Sequence, residues 1–408
     1  MTENLVIVGG GQAAAQAIAS LRALGFPGRI VLIGEEPVPP YQRPPLSKKY
    51  LSGEWGLDRV LLKADAFYAE MKVETRLASR AEAIDRQAGR VRAGSESFPY
   101  DKLLIATGSR VRRLACPGAE LPGIHHLRTL SDVDAIRPAL TAGARLAVIG
   151  GGYIGLEVAA VAKGLGCAVT VIEMGERCLN RVVAPQVSAF FETVHRQAGV
   201  EIAVNARVTA CEGKGRLERI VCASGRAIEA DVAVVGIGIL PNQEIAQQAG
   251  LAVDNGIMVD EFALTSDPAI AAAGDCANFP SALYGRRIRL ESVQNAIEQG
   301  KAAAAALAGR PARYHDVPWF WSDQYDLKLQ IAGLNQGYDR VVVRGDMGAR
   351  KFAAFYLKAG RLIAVDAVNA PAEYMTCLKQ LIPAGAEIAP ERLADMSVSM
   401  KEIAASTR

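Results

Sequence analysis

The chain has no two cysteines closer than eleven positions. Its seven cysteines (Cys116, Cys167, Cys178, Cys211, Cys222, Cys276 and Cys377) make neither a C-x-x-C redox motif nor a metal-ligand cluster. They read as reduced, mostly buried thiols, and no metal is expected. Long hydrophobic runs are missing too. The most apolar long window, Leu146 to Ala162, is broken by glycines and carries Glu157, so no membrane span is expected. The chain enters an apolar strand at Leu5–Val8 with no basic segment and longer apolar stretch before it. That pattern argues against a secretory leader and for a cytoplasmic protein. The net charge of +3 is too small for nucleic-acid binding by bulk electrostatics, though it is compatible with a local basic patch.

What is present points to a folded α/β protein of several parts. A length of 408 residues exceeds one ordinary core, so two or three domains are expected. The 39 glycines and the alanine-rich stretches suit tight turns and close helix–sheet contacts. The first 35 residues read strand, glycine turn, helix, strand. Leu5–Val8 is a continuous apolar run, as in a parallel strand buried on both faces. Gly9-Gly10-Gly11-Gln12-Ala13-Ala14 follows, matching G-x-G-x-x-A, and a helical pattern runs to Leu24 and stops at Gly25. Ile30–Ile33 is the next strand, with Glu35 just past its end. Gly9 permits the tight turn, Gly11 lets a pyrophosphate approach the backbone, and Ala14 allows close helix–strand packing. The helix start offers unpaired N–H groups and a positive dipole end to phosphate, and Glu35 can accept hydrogen bonds from ribose hydroxyls.

The pattern then repeats about 140 residues later, which implies two dinucleotide sites. Leu146–Ile149 leads into Gly150-Gly151-Gly152-Tyr153-Ile154-Gly155, a helix runs on to about Gly166, and Val169–Ile172 ends at Glu173. A carboxylate at Glu173 pairs with a free ribose 2′-hydroxyl and repels a 2′-phosphate, which favours NADH over NADPH. Arg177 and Arg181 lie close enough in sequence to soften that preference.

The remaining motifs carry a family resemblance. Leu103–Gly108, with Ala106-Thr107-Gly108 at its end, resembles the A-T-G crossing of two-dinucleotide flavoproteins, and Val235–Asn242, through Gly238, resembles the return crossing. Ala272-Ala273-Gly274-Asp275 resembles the late FAD motif whose Asp binds the ribityl chain. Tyr41-Gln42-Arg43-Pro44-Pro45-Leu46-Ser47-Lys48 is similar to the R-P-x-L-S-K segment of NADH-dependent ferredoxin reductases that serve oxygenases. Gly155-Leu156-Glu157 resembles their G-L-E, whose carboxylate lies near the nicotinamide, and Leu127-Arg128-Thr129 a segment that reaches FAD. Ser292-Val293-Gln294-Asn295-Ala296 resembles the segment whose helix start faces the flavin ring. Trp319-Phe320-Trp321-Ser322-Asp323-Gln324 resembles P-x-F-W-S-x-Q at the start of the C-terminal domain, with Trp319 and Trp321 fitting either a packed strand or a flavin edge. Strands are expected near 328–333, 339–344, 350–356 and 361–368, before helices from about Ala372.

The resemblance implies two Rossmann-like dinucleotide-binding domains plus a C-terminal α+β domain. The expected boundaries are 1–109 with 243–312 for FAD, 110–242 for NAD, and 313–408 for the last. It implies FAD contacts at Gly9, Gly11, Ala14, Glu35, Arg43, Lys48, Ala106, Thr107, Gly108, Arg128, Gly274, Asp275, Val293 and Trp319. It implies NADH contacts at Gly150, Gly152, Tyr153, Ile154, Gly155, Glu157, Glu173 and Gly238, with Lys48 and Glu157 as the catalytic pair. Physically, a fixed positive charge near the flavin favours its anionic reduced form. Disulfide reductases of this architecture need a cysteine pair beside the flavin, and single-cysteine relatives place a thiol there. Here that region holds Pro44–Lys48, and no cysteine precedes Cys116. The implied reaction is therefore hydride transfer from NADH to FAD and release of single electrons to an acidic 2Fe-2S ferredoxin. That ferredoxin would feed a cytochrome monooxygenase or a Rieske dioxygenase. Its docking patch is sought among Arg286, Arg287, Arg289, Arg310 and Arg313. A rubredoxin reductase, an NADH oxidase or quinone reductase, and a redox-sensing protein of the apoptosis-inducing-factor type are the alternatives. A monomer and a homodimer both fit.

Overall fold

The computed structural model describes residues 3–406. They form two compact units, each discontinuous in sequence. The first runs up to Gln42 and includes Leu57–Arg110 and Ile239–Pro318; the second joins Arg43–Gly56, Val111–Gly238 and the chain from Trp319.

The first unit is built on a five-stranded parallel sheet in the order Ile270–Ala272, Lys102–Ile105, Asn4–Val8, Arg29–Ile33, Val73–Arg76. Leu5, Val6 and Ile7 are fully buried, as expected of a central parallel strand covered on both faces. The helices Gln12–Ala23 and Val293–Leu307 pack together through alanine and glycine. A Cβ on Gly300 would stand 2.7 Å from the Ala13 carbonyl oxygen, so only glycine allows this approach. A three-stranded antiparallel sheet, Ala81–Asp85, Arg90–Ala93 and Glu96–Pro99, completes this part of the unit.

The second unit contains the repeat of that design. Its parallel sheet runs Glu201–Ala203, Ala168–Ile172, Arg145–Ile149, Val232–Val235, Ile124–His126. The helix Tyr153–Gly164 follows the glycine turn. The same unit holds a five-stranded antiparallel sheet in the order Trp319–Gln324, Leu327–Gly333, Arg361–Val368, Lys351–Lys358, Arg340–Asp346. All four expected segments are strands, Trp319–Gln324 is a fifth, and a helix follows at Pro371–Thr376. Lys351–Lys358 is buried at six consecutive positions, so it is covered on both faces and does not alternate. No helix among the described residues is long and apolar enough to cross a membrane.

A buried polar trio anchors this sheet. The Tyr356 hydroxyl donates to Asp366 and accepts from the Ala184 backbone N–H at 2.8 Å, the residue that caps helix Pro185–Gln197. Burial pushes the Asp366 carboxyl up from 3.8 to about 7, with the Tyr356 hydrogen bond opposing the shift. An acid raised on folding contributes stability that is fully present below its unfolded value and is lost as pH rises through its folded value. Asp366→Asn, which cannot ionise, should therefore be more stable than the parent at pH 8.5 by about 1–2 kcal/mol. The advantage should vanish near pH 5. Chemical denaturation at the two pH values checks this, and an advantage equal at both would refute it.

Candidate functional site

Each glycine turn combines an obligatory close approach with an open cradle. A Cβ on Gly9, at φ +113°, would lie 2.1 Å from the Ala106 carbonyl oxygen. On Gly11 the same atom would meet nothing within 4 Å. The turn after Ile149 repeats this arrangement. Gly150 would meet the Gly236 oxygen at 2.4 Å and Gly155 the Gly150 oxygen at 2.1 Å, whereas Gly152 faces open space. Gly11 and Gly152 are the N-caps of their helices, and no side chain caps either one. The first N–H groups of both helices are thus left for an outside acceptor, and both turns admit a backbone-hugging pyrophosphate. At the third position Ala14 is fully buried in the first turn, and Gly155 is buried in the second. The residues present fit two dinucleotides.

In the first unit the expected FAD residues are tied together by hydrogen bonds. Thr107 donates from its hydroxyl to the Asn242 carbonyl at 2.7 Å, and the Asn242 amide donates back to the Thr107 carbonyl at 2.9 Å. The crossing at Ala106-Thr107-Gly108 and the return segment thus fasten each other. Ser109 donates to the Asp275 carboxylate at 2.7 Å, and Gln299 accepts from the Gly274 N–H at 2.8 Å. Val293 begins its helix after Ser292, whose side chain accepts from the Asn295 N–H. Glu35 is exposed and pairs with Arg80 at 3.0 Å.

In the second unit Glu173 does more than the sequence suggested. Its carboxylate accepts from the Gly151 and Gly175 N–H groups, each at 2.7 Å, and so braces the second glycine turn. Arg177 donates to the Val183 and Asn180 carbonyls, and Arg181 is exposed. Gly238 lies at φ +107°, a Cβ there would meet nothing within 4 Å, and Ile154 is 44% exposed. Tyr153 stacks on Phe320 with ring centroids 4.9 Å apart. Its hydroxyl is buried without a hydrogen-bond partner, and burial pushes the phenol well above its ordinary value. Trp319 and Trp321 are half-buried on the strand Trp319–Gln324, with ring centroids 5.9 Å apart.

The centre of the second unit is Glu157. A glutamate in mid-helix is ordinarily solvated, yet this one is only 3% exposed. Lys48 Nζ stands 2.6 Å from its Oε2, and the Ser47 hydroxyl donates to the same oxygen at 2.5 Å. The Ser322 hydroxyl donates to Oε1 at 2.6 Å. Three segments therefore meet on one carboxylate: the Arg43–Gly56 loop, the fingerprint helix and the strand Trp319–Gln324. Lys48 is correspondingly no solvated loop lysine, its side chain being 17% exposed. Arg43 donates to the Arg128 carbonyl at 2.7 Å, so these two expected FAD residues are brought together; Lys48 and Trp319 belong to the same unit. Ser47 and Ser322 stood inside quoted motifs, but nothing in their local spacing marked them as partners of Glu157.

Two expectations change. Arg287 donates to the Val259 and Asn278 carbonyls, and Arg289 is held by Asn255, the Asp275 carbonyl and Glu291. Both are structural, and this withdraws them from the docking candidates. Arg313, paired with Glu261, as well as Arg286 and Arg310, remain at the surface. Among the cysteines, Cys116 and Cys211 are brought into side-chain contact, although far apart in sequence. Burial pushes the Cys211 thiol up to about 12, the opposite of a reactive thiolate. Among the described residues no His, Cys, Asp or Glu group is disposed to hold a metal ion.

Two uncapped glycine cradles on parallel sheets, joined to an antiparallel C-terminal sheet, define a two-dinucleotide oxidoreductase. Comparison with known proteins specifies the class: residues 3–300 match the pyridine nucleotide-disulphide oxidoreductase family, and residues 319–404 match the reductase C-terminal family. The chain belongs to the pyridine nucleotide-disulphide oxidoreductase family, with FAD and NAD(H) as its cofactors. It is similar to putidaredoxin reductase CamA of Pseudomonas putida, at 43% identity over 100% of this chain and 98% of that protein. The ferredoxin reductase for the CYP199A2 system of Rhodopseudomonas palustris superposes with a TM-score of 0.96 at 41% identity, covering 99% of this chain and 100% of that one. The covalent putidaredoxin reductase–putidaredoxin complex also superposes at 0.96, with 42% identity and 99% coverage of both chains.

The cradles make a direct prediction. Neither Gly11 nor Gly152 has a positive φ or a neighbour within Cβ reach, so alanine at either site should fold normally. Gly11→Ala should lower retained flavin, and Gly152→Ala should weaken NADH binding by about tenfold or more, because the methyl group occupies the phosphate approach. Flavin absorbance per protein, NADH titration and a thermal melt distinguish this outcome from simple misfolding.

Proposed function

We propose that the chain is an FAD-dependent NADH:ferredoxin oxidoreductase, cytoplasmic, that supplies a 2Fe-2S ferredoxin of an oxygenase system. The observation that carries this reading is Lys48, paired with Glu157, in the motif region where the family resemblance places the cysteine of thiol-dependent relatives. Without a thiol relay the electrons must pass directly to an acceptor. The full-length similarity to proteins named as reductases for ferredoxins supports the carrier assignment.

Bound FAD would supply the hydride-accepting and one-electron-donating chemistry. The chain's own residues bind and orient. Gly9, Gly11, Ala14, Glu35, Ala106, Thr107, Gly108, Gly274, Asp275 and Val293 in the first unit would hold FAD. Gly150, Gly152, Tyr153, Ile154, Gly155, Glu173 and Gly238 would hold NADH. A free ribose 2′-hydroxyl suits Glu173, whose lone pairs are not exhausted by two backbone donors. Hydride transfer needs no proton donor at the reacting carbon, so Lys48 and Glu157 act by fixed charge and position. Arg286 and Arg310, with Arg313, would form the basic surface that steers an acidic partner.

NADH oxidation by the purified protein should be slow with oxygen alone and should rise at least about tenfold when a 2Fe-2S ferredoxin coupled to cytochrome c is added. Rapid NADH loss to oxygen, indifferent to ferredoxin, would replace this reading with an oxidase. Replacing Arg286 and Arg310 together by glutamate should cut ferredoxin-dependent turnover about tenfold at low salt and leave ferricyanide reduction unchanged. Equal loss with both acceptors would remove the patch from the mechanism.

A further inference from the structure

The hydrogen bonds around Glu157 do not end at Ser322. Ser322 accepts from the Gln324 amide at 3.1 Å, two positions along the same strand and on the same face. The Gln324 carbonyl oxygen lies 2.9 Å from His195 Nε2, and His195 Nδ1 lies 3.1 Å from the Tyr325 hydroxyl. Ser322, Gln324 and His195 are at most 1% exposed, whereas Tyr325 is 39% exposed. The line therefore runs from the surface to the buried carboxylate, wholly within the second unit.

Donor chemistry gives this line a direction. The Glu157 carboxylate only accepts, so Ser322 must donate to it and must itself accept from Gln324 Nε2. That orientation leaves Gln324 Oε1 facing His195, which requires a proton on Nε2. The neutral ring then has a lone pair on Nδ1, and the Tyr325 hydroxyl donates to it. Burial lowers the His195 value, in keeping with a neutral ring. Every bond points the same way, and each dipole presents its positive end toward Glu157.

We propose that Tyr325, His195, Gln324 and Ser322 form an oriented hydrogen-bond chain that positions the Glu157 carboxylate against Lys48 for the nicotinamide reaction. The inference rests on the assignment of Glu157 to that reaction. The four are positioning residues: they act through Glu157 and need not touch either dinucleotide. The chain is a fixed array of dipoles and not a proton wire, because the Gln324 amide passes no proton onward in its ordinary form.

The test is anaerobic stopped-flow reduction of the holoenzyme by NADH, in parent and Glu157→Gln backgrounds. Ser322→Ala should lower the limiting reduction rate about tenfold, the scale of a hydrogen bond to a charged group, with NADH affinity within about twofold. In the Glu157→Gln background the same substitution should change the rate by less than about twofold. An equal loss in both backgrounds would assign Ser322 to packing and overturn the chain while leaving the Glu157 assignment intact. A Glu157→Gln enzyme that reduces as fast as the parent would overturn both. Should Ser322→Ala fold poorly, Tyr325→Phe at the exposed end deletes one donor and leaves the interior packed. Nitrogen-15 NMR at neutral pH should show His195 as the Nε2–H tautomer in the parent and also in Tyr325→Phe, because Gln324 Oε1 still requires that proton. A Nδ1–H tautomer in the parent contradicts the direction of the chain.

Discussion

A carboxylate buried inside a protein must be given donors, and meeting that demand at Glu157 organises the second unit. Moving such a charge out of water costs several kcal/mol unless neighbours replace the lost hydration. Here the replacements come from Ser47 and Lys48 of one loop and Ser322 of a distant strand. None of these groups can shift without leaving a buried polar atom unsatisfied. The loop Arg43–Gly56 and the first strand of the C-terminal sheet are thereby fixed against the helix that follows the second glycine turn. The stacking of Tyr153 on Phe320 works alongside it, because residues 320, 322 and 324 share one face of their strand.

The two glycine turns solve one geometric problem twice, with different surroundings. In each, one glycine lets two backbones approach, and another leaves a gap at an uncapped helix start. The first turn closes on alanine and the second on glycine, where a Cβ would strike the Gly150 oxygen. The acidic residue after the second strand also differs: Glu35 is exposed beside Arg80, whereas Glu173 braces its own turn through Gly151. Glu173 is thus a structural residue as well as a candidate ribose partner.

Much of the fold was legible because it follows from local rules. Apolar runs such as Leu5–Val8 and Leu146–Ile149 announce buried parallel strands, and the glycine spacing that follows each one announces the turn and helix start. The strands of the C-terminal sheet were readable for the same reason. The site was legible where residues lie within one motif. It was obscure where the decisive partner comes from far along the chain. Arg287 and Arg289 read as docking charges because an arginine in a turn-rich stretch usually faces water; only the folded chain shows the carbonyls that take them up.

By itself the sequence determined the two dinucleotide-binding frames, the absence of a close cysteine pair and the motifs that place the chain in its family. These depend on residue type and short spacing, which the folded chain inherits unchanged. Only tertiary structure decided that Glu157 is buried, that Ser47, Lys48 and Ser322 converge on it, and that Cys116 meets Cys211. The contacts of Ser47 and Ser322 with Glu157 join residues a hundred or more positions apart. A hydroxyl has no sequence signature for the carboxylate it will find: its partner is chosen by packing, once burial has removed water as the alternative.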